Sequence, residues 1–306
     1  MKIAIMAAGA VGGYFGARLA DAGHDVVFIA RGKHLEAIRS HGLEVQSELG
    51  DVHVKKVTAT DDPASVGPVD VILFAVKLWD TALSALACQP MLTDNTAVIS
   101  LQNGVESSEI ISGEIGAEHS LTGTAQVSSV IAGPGVIQHF GNFAKLVFGE
   151  NDNQRSDRAN AFLKACQDSG IEAVIPDDIQ AALWEKFVTL ATLSGVTTAS
   201  RSPIGKILSD PDMAKMYRTA MTEIAAVGRA RGVNLSDDTV ERLMGFAATV
   251  MPPDMTASTL KDLENGNRLE TPWLTGAVVR MGRELNIPTP VNETLNAVIK
   301  PFENGR

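Results

Sequence analysis

The first thirty-one residues constrain the fold more than any other stretch of the chain. An apolar run, Lys2-Ile3-Ala4-Ile5-Met6, leads into a small-residue turn, Ala7-Ala8-Gly9-Ala10-Val11-Gly12-Gly13. A helix-like stretch follows, and Val26-Val27-Phe28-Ile29 closes on Arg31. Strand, glycine-rich turn, helix and second strand in that order make a β-α-β unit suited to a dinucleotide. Glycines let the backbone approach a pyrophosphate, and the helix that starts there points unpaired N–H groups and its positive dipole end at the anion. Gly9, Ala10, Val11 and Gly12 are therefore the expected cofactor-binding turn. Arg31 at the end of the second strand favours the 2′-phosphate of NADP, where an acidic residue would instead bond the ribose hydroxyl and repel a phosphate. The expected cofactor is NADPH. The G-x-G-x-x-G pattern is incomplete, because position 7 carries Ala7; alanine is expected there only with a negative φ.

The length of 306 residues suits about two domains at the usual ~150 residues each. With 45% hydrophobic and 20% charged residues the composition is that of a soluble globular chain. No apolar stretch approaches the ~18 residues of a membrane helix. A core strand begins at once, so no signal peptide is expected and the cytoplasm is the expected location. A net charge of −10 argues against nucleic acid or an acidic membrane as partner, since both select a basic surface. Cys88 and Cys166 are far apart and outside any C-x-x-C, which points to reduced, core-facing thiols. The six histidines show no metal-ligand spacing, and no metal site is expected. His34 is expected either near the adenosine end of a cofactor or on the surface.

Strand-like runs fill the first half: Lys2 to Met6, Val26 to Ile29, Gly42 to Gln46, Val52 to Ala59, Val69 to Val76, Ala97 to Leu101, Leu121 to Val130, Gly135 to Phe140 and Lys145 to Phe148. Alternation with helical stretches implies a doubly wound parallel sheet, with hairpin character at Ala132-Gly133-Pro134-Gly135. After Pro176 helical periodicity takes over, over Asp178 to Thr198, Pro211 to Arg231, Ser236 to Val250, Ser258 to Asn265, Pro272 to Leu285 and a last helix after Pro290. The expected architecture is an α/β Rossmann-type N-terminal domain over 1–175 and an all-α C-terminal domain over 176–306.

Lys186 shares a helical stripe with Ile179, Leu183 and Leu190, so its ammonium is expected to be partly desolvated. Burial lowers a lysine pKa towards the range of a general acid, and an ammonium beside a carbonyl both donates a proton and stabilises the developing alkoxide. A lysine snorkelling to water from the rim of the stripe is the alternative. Lys77 closes the strand ending at Val76, and Asn103-Gly104 follows the next one, at the edge where open α/β sheets bind ligands. A tight Asn-Gly turn would explain the second feature equally. Glu270, just before Thr271-Pro272, faces either a site or solvent, or caps a helix.

Together these residues resemble the ketopantoate reductase (2-dehydropantoate 2-reductase) family, from Met1 to about Lys300. The resemblance is carried by Met1-Lys2-Ile3-Ala4-Ile5 with Gly9 to Tyr14, Ile29 to Gly32, Val76-Lys77, Leu101 to Gly104, Trp184-Glu185-Lys186, Ser258 to Glu270, and Gly276 to Pro290. It implies that Lys186 is the catalytic lysine that protonates the C2 carbonyl oxygen as NADPH delivers hydride, with Glu270 its partner acid. Gly9, Gly12, Arg31, Lys77 and Asn103 would then serve the cofactor, and Asn103 and Ser258 the substrate. Leu190 and Ser194 occupy substrate-binding positions at which the family carries asparagines, and Pro272 replaces an acidic residue. The implied activity is NADPH-dependent reduction of ketopantoate. Alternatives are reduction of a less hydroxylated or more apolar 2-oxo acid or carbonyl, or non-catalytic NADPH binding. A homodimer is implied by analogy alone.

Overall fold

A computed structural model describes the whole chain, Met1–Arg306, as two compact units. The first comprises Met1–Gln102 and Glu106–Ile179; the second comprises Asn103–Val105 and Gln180–Arg306. The change of unit thus falls after Ile179 rather than after 175, and a three-residue piece of the sheet domain's loop counts with the helices.

In chain order the first unit contains β1 (Lys2–Met6), α1 (Ala10–Asp21), β2 (Asp25–Ile29), α2 (Gly32–His41), β3 (Leu43–Ser47), β4 (Val52–Val54), β5 (Thr58–Thr60), β6 (Val71–Phe74), α3 (Thr81–Leu86), β7 (Ala97–Ser100), α4 (Ser107–Ile115), β8 (Ser120–Gly133), β9 (Val136–Gly149), α5 (Asp157–Asp168) and β10 (Glu172–Val174). One sheet runs β4-β3-β9-β8-β7-β6-β1-β2-β5, with β10 on β9. From β5 to β8 every pairing is parallel. Both faces of a parallel sheet are covered, so its strands are apolar throughout rather than alternating. In β1, Ile3 and Ile5 join one core cluster with Phe15 and Leu19 of α1, whereas Ala4 and Met6 join another with Ala85 of α3 and Ile111 of α4.

Two strand expectations are corrected. Val52 to Ala59 is not one strand: β4 pairs antiparallel with β3 and β5 pairs parallel with β2, at opposite ends of the sheet. The chain must cross between edges, and the exposed Lys55-Lys56 pair marks the crossing. Conversely, the runs at 135–140 and 145–148 are one strand, β9, paired along β8 with irregularities at Val127/Ser129 and Ile131/Gly133. The Pro134-Gly135 turn joins them, with Gly135 at φ 76, as a proline-glycine turn with a left-handed second residue requires.

The second unit holds most of α6 (Ile179–Ser200), then α7 (Ile204–Ser209), α8 (Pro211–Ala230), α9 (Thr239–Thr249), α10 (Ser258–Asn265), α11 (Thr275–Leu285) and α12 (Pro290–Ile299). Residues 191–198 of α6 are buried without interruption, so this part of the helix is enclosed on all sides. The short α7 carries no expectation from sequence. The third helix starts at Thr239 rather than Ser236, because Ser236 Oγ is engaged with Asp238 Oδ1 in the preceding turn. No helix is long and apolar enough to cross a membrane.

Inside this unit Glu223 of α8 is 7% exposed and caps α12 from the side. Its carboxylate accepts from Val291 N, Asn292 N and Asn292 Nδ2 at 2.9, 2.9 and 2.7 Å. The two backbone N–H groups are free donors at a helix N-terminus, where negative charge is favoured. Glu223→Gln replaces one acceptor oxygen by a donor facing donors. We expect it to cost about 2–3 kcal/mol, since bonds to charged groups contribute most and a buried mismatch adds its desolvation. Thermal unfolding should show a clear fall in Tm; a loss of under about 0.5 kcal/mol, the scale of a neutral surface change, rejects the capping role.

Candidate active site

The registers of the parallel strands place Met6, Ile29, Phe74 and Ser100 in one row across β2-β1-β6-β7. The residues that follow each strand therefore emerge at one edge, the carboxyl edge of the sheet. That edge carries the glycine-rich turn, Arg31, Lys77 and Gln102.

At the turn, Ala7 has φ 72. The expectation of a negative φ is overturned. The flanking backbone leaves no alternative: Ala75 N donates to Met6 O at 2.9 Å and Ala8 N to Ile29 O at 2.7 Å, so both sides of Ala7 are tied into the sheet. Gly9 then starts α1, whose first turn contains no acidic residue, and a Cβ at Gly9 would meet nothing within 4 Å. Gly12 is needed for a different reason, because a Cβ there would lie 2.4 Å from Ala7 O. Open space at the helix start, unpaired N–H groups and no local carboxylate fit a dinucleotide pyrophosphate.

His34 is half-buried, with both ring nitrogens bonded within the chain. Gly135 N donates to its Nδ1 at 3.0 Å, so Nε2 carries the proton and donates to Ala8 O at 2.9 Å. The ring is neutral in this arrangement, and burial lowers its pKa accordingly. It ties the glycine-rich turn to the β8–β9 hairpin. Arg31 is exposed at the N-cap of α2, and its guanidinium has no hydrogen bond or ion pair within the chain. Lys77 is exposed, with its ammonium 5.6 Å from the Trp79 ring centroid.

In the second unit Lys186 of α6 donates to Asn103 Oδ1 at 3.1 Å. The residue is half-buried, and desolvation of its ammonium pushes the pKa down from 10.5 to about 8. Asn103 belongs to a bend whose Gly104 has φ 104, so the turn and the lysine contact are one feature. Because the lysine requires the amide oxygen, the Asn103 N–H donors face away from it. Glu270 is half-buried before the short helical turn Thr271–Trp273, and its side chain makes no capping bond to that turn.

The four substrate positions differ among themselves. Asn103 and Leu190 are half-buried, and Ser258 is exposed in the first turn of α10 with its hydroxyl unused within the chain. Ser194 is 3% exposed and donates to Thr259 Oγ1 at 2.7 Å. Its hydroxyl hydrogen is thus used within the chain. Two residues carry no role of their own in the sequence reading: Thr259, and Gln102, which is 5% exposed at the end of β7 with both amide hydrogens engaged. A polar side chain between an apolar strand and a bend was the available signal for Gln102. Cys88 and Cys166 are buried free thiols pushed up to about 12 by burial. No group of three or more His, Cys, Asp or Glu is placed to hold a metal ion.

Comparison with known proteins places this chain among relatives of the same layout. The model for "Ketopantoate reductase PanE/ApbA" matches residues 3–153, and that for its C-terminal part matches residues 178–303. A protein of Bacillus subtilis named "Uncharacterized oxidoreductase YkpB" is 30% identical over 99% of both chains. A 2-dehydropantoate 2-reductase of Mesorhizobium japonicum is 29% identical over 98% of this chain and 97% of its own. The crystal structure of a PanE/ApbA family ketopantoate reductase from Ralstonia eutropha superposes with a TM-score of 0.89 at 35% identity, covering 99% and 98% of the two chains. D-mandelate dehydrogenase shares the fold, with a TM-score of 0.89 at 23% identity.

Ala7 makes the turn testable. The left-handed region costs an L-residue roughly 1–2 kcal/mol, and glycine returns about 0.5–1 kcal/mol of that as extra freedom in the unfolded chain. Ala7→Gly should therefore stabilise the protein by about 0.5–1 kcal/mol. A Tm lower than that of the unmutated chain contradicts the strain at position 7.

Proposed function

Because the chain belongs to the ketopantoate reductase family of oxidoreductases, we propose that it is an NADPH-dependent reductase of a small 2-oxo acid, with ketopantoate (2-dehydropantoate) as the substrate. The observation that carries this reading is the desolvated Lys186 ammonium held by Asn103. Bound NADPH supplies a hydride to the carbonyl carbon. The protein's task is then to place a proton and positive charge at the carbonyl oxygen. Lys186 does both: its N–H bond breaks as the O–H bond forms, and the neutral amine left behind is tolerated because the site already disfavours its charged form. Asn103 fixes the direction of the ammonium. Glu270 and Ser258 are assigned as partner acid and substrate contact on the strength of the family motif. Arg31, exposed and without a partner in the chain, is assigned to the 2′-phosphate of NADPH.

A second reading keeps the chemistry and changes the substrate. Leu190 is apolar, and Ser194 is buried with its hydroxyl hydrogen given to Thr259, so these two positions offer less hydrogen-bonding capacity than two asparagines would. A site lacking such partners selects poorly for a hydroxylated substrate and favours a more apolar 2-oxo acid. The same fold serves D-mandelate dehydrogenase, so the fold does not choose between them.

NADPH oxidation by purified protein with ketopantoate, and with a panel of apolar 2-oxo acids, tests both. NADPH-selective turnover of ketopantoate supports the first reading, and preference for the apolar acids supports the second. NADPH binding without turnover of any of them leaves a non-catalytic binding protein. Arg31→Ala should erase most of the preference for NADPH over NADH.

Lys186→Met should lower kcat by about 10²–10⁴, the usual contribution of a positioned acid, while the NADPH Kd changes little. In the unmutated protein the reduction rate should fall tenfold per pH unit above about 8, where the ammonium is lost, and the reverse oxidation should rise there. The stability linkage has the corresponding sign. A folded pKa below the unfolded 10.5 means the charged lysine opposes folding at pH 7, and this opposition is relieved as pH rises from about 8 towards 10.5. Lys186→Met should therefore not lower Tm at pH 7, and a flat pH–rate profile between 7 and 9.5 rejects the lysine as acid.

A further inference from the structure

We propose that Gln102 is a positioning residue that holds Lys77 in place for the bound cofactor; this rests on the reading of the sheet edge as the NADPH site. Lys77 sits in the segment between β6 and α3, and an exposed lysine in a loop is orientationally loose unless its backbone is fixed. Here Gln102 binds the backbone on one side of Lys77 and, through Thr81, on the other. Gln102 Nε2 donates to Val76 O at 3.0 Å, immediately before Lys77, and to Thr81 Oγ1 at 2.9 Å, at the far end of the segment. Thr81 Oγ1 in turn donates to Leu78 O at 2.8 Å, immediately after Lys77. Asp80 N donates to Lys77 O at 2.9 Å and closes the turn.

The rest of the carboxamide is anchored to its own strand. Gln102 Oε1 accepts from Ser100 Oγ at 3.3 Å, and Gln102 N donates to the same hydroxyl at 3.3 Å. A primary amide has two hydrogens and one oxygen, and all three are used in a buried place. Glutamate lacks the donors and would set a charge against the Val76 carbonyl. Methionine fills the volume and leaves that carbonyl and the Thr81 hydroxyl without Gln102. The side chains that make the network, Gln102, Thr81 and Ser100, carry no ionisable group, so its action should be independent of pH.

The experiment is a double-mutant cycle on NADPH binding, read by cofactor fluorescence without substrate, using Gln102→Met, Lys77→Ala and the pair. Loss of a buried hydrogen-bonding partner should weaken NADPH about tenfold in Gln102→Met. In the Lys77→Ala background the same change should have little further effect, because its target is gone. The pH–rate profile should keep its break at the same pH. Thr81→Val, which removes one of the two acceptors and keeps the shape, should weaken binding about threefold and lose that effect in the same background; it answers the question if Gln102→Met does not fold. Additive effects on Kd, or a lower Tm with unchanged Kd, overturn the proposal and leave the network a stabilising one. Failure of the unmutated protein to bind NADPH overturns the cofactor reading and the proposal together.

Discussion

Everything proposed for the first unit depends on the register of four parallel strands. Pairing of Met6 with both Ile29 and Phe74, and of Phe74 with Ser100, ends the strands in a single row. A slip of one residue would turn Ile3 and Ile5 to the face now occupied by Ala4 and Met6, and both cores would be lost. Register is thus fixed by burial on two faces, and the chemistry at the edge inherits that precision without contributing to it. The backbone bonds that flank Ala7 belong to the same row, which is how the sheet holds an alanine in a conformation it resists.

The second unit works by the opposite economy, with enclosure where the first has alignment. Because residues 191–198 of α6 are buried without interruption, a polar group there must find a partner within the protein or be desolvated. Ser194 and Thr197 find partners, in Thr259 Oγ1 and Leu193 O, while Thr192 and Thr198 keep buried hydroxyls without one. Earlier on the same helix the half-buried Lys186 has a partner in Asn103 and an ammonium that is partly desolvated. That mixture gives a lysine poised near neutral pH, whereas the multiply bonded Glu223 carboxylate serves to hold a helix.

Local patterns made much of this readable. The two-strand opening with its glycine-rich turn, the switch to helical periodicity, and helix α10 starting at Ser258 are features of neighbouring residues, and they appear where the sequence places them. What depended on distant partners was not readable. Ala7 could not be assigned φ 72 without the bonds from Ala8 to Ile29 and from Ala75 to Met6. The stretch 52–59 looks like one strand because nothing local reveals that its halves pair at opposite edges. Nothing local to Ser194 reveals that its hydroxyl donates to Thr259, far along the chain. His34 was undecided between two places because its partners lie in the turn at Ala8 and in the hairpin at Gly135.

The three residues Asn103–Val105 have a consequence for how divisible the protein is. They sit in the middle of the sheet domain's sequence, yet they belong with the helices, and Val105 is part of the helical core. The polypeptide therefore changes unit at 102/103, 105/106 and 179/180, and no single cut yields two whole pieces. A fragment beginning at Gln180 would contain Lys186 but not the amide that orients it. The two halves of the molecule are architectural units without being separable pieces of sequence, because the amide that bonds the lysine lies within the stretch that otherwise builds the sheet.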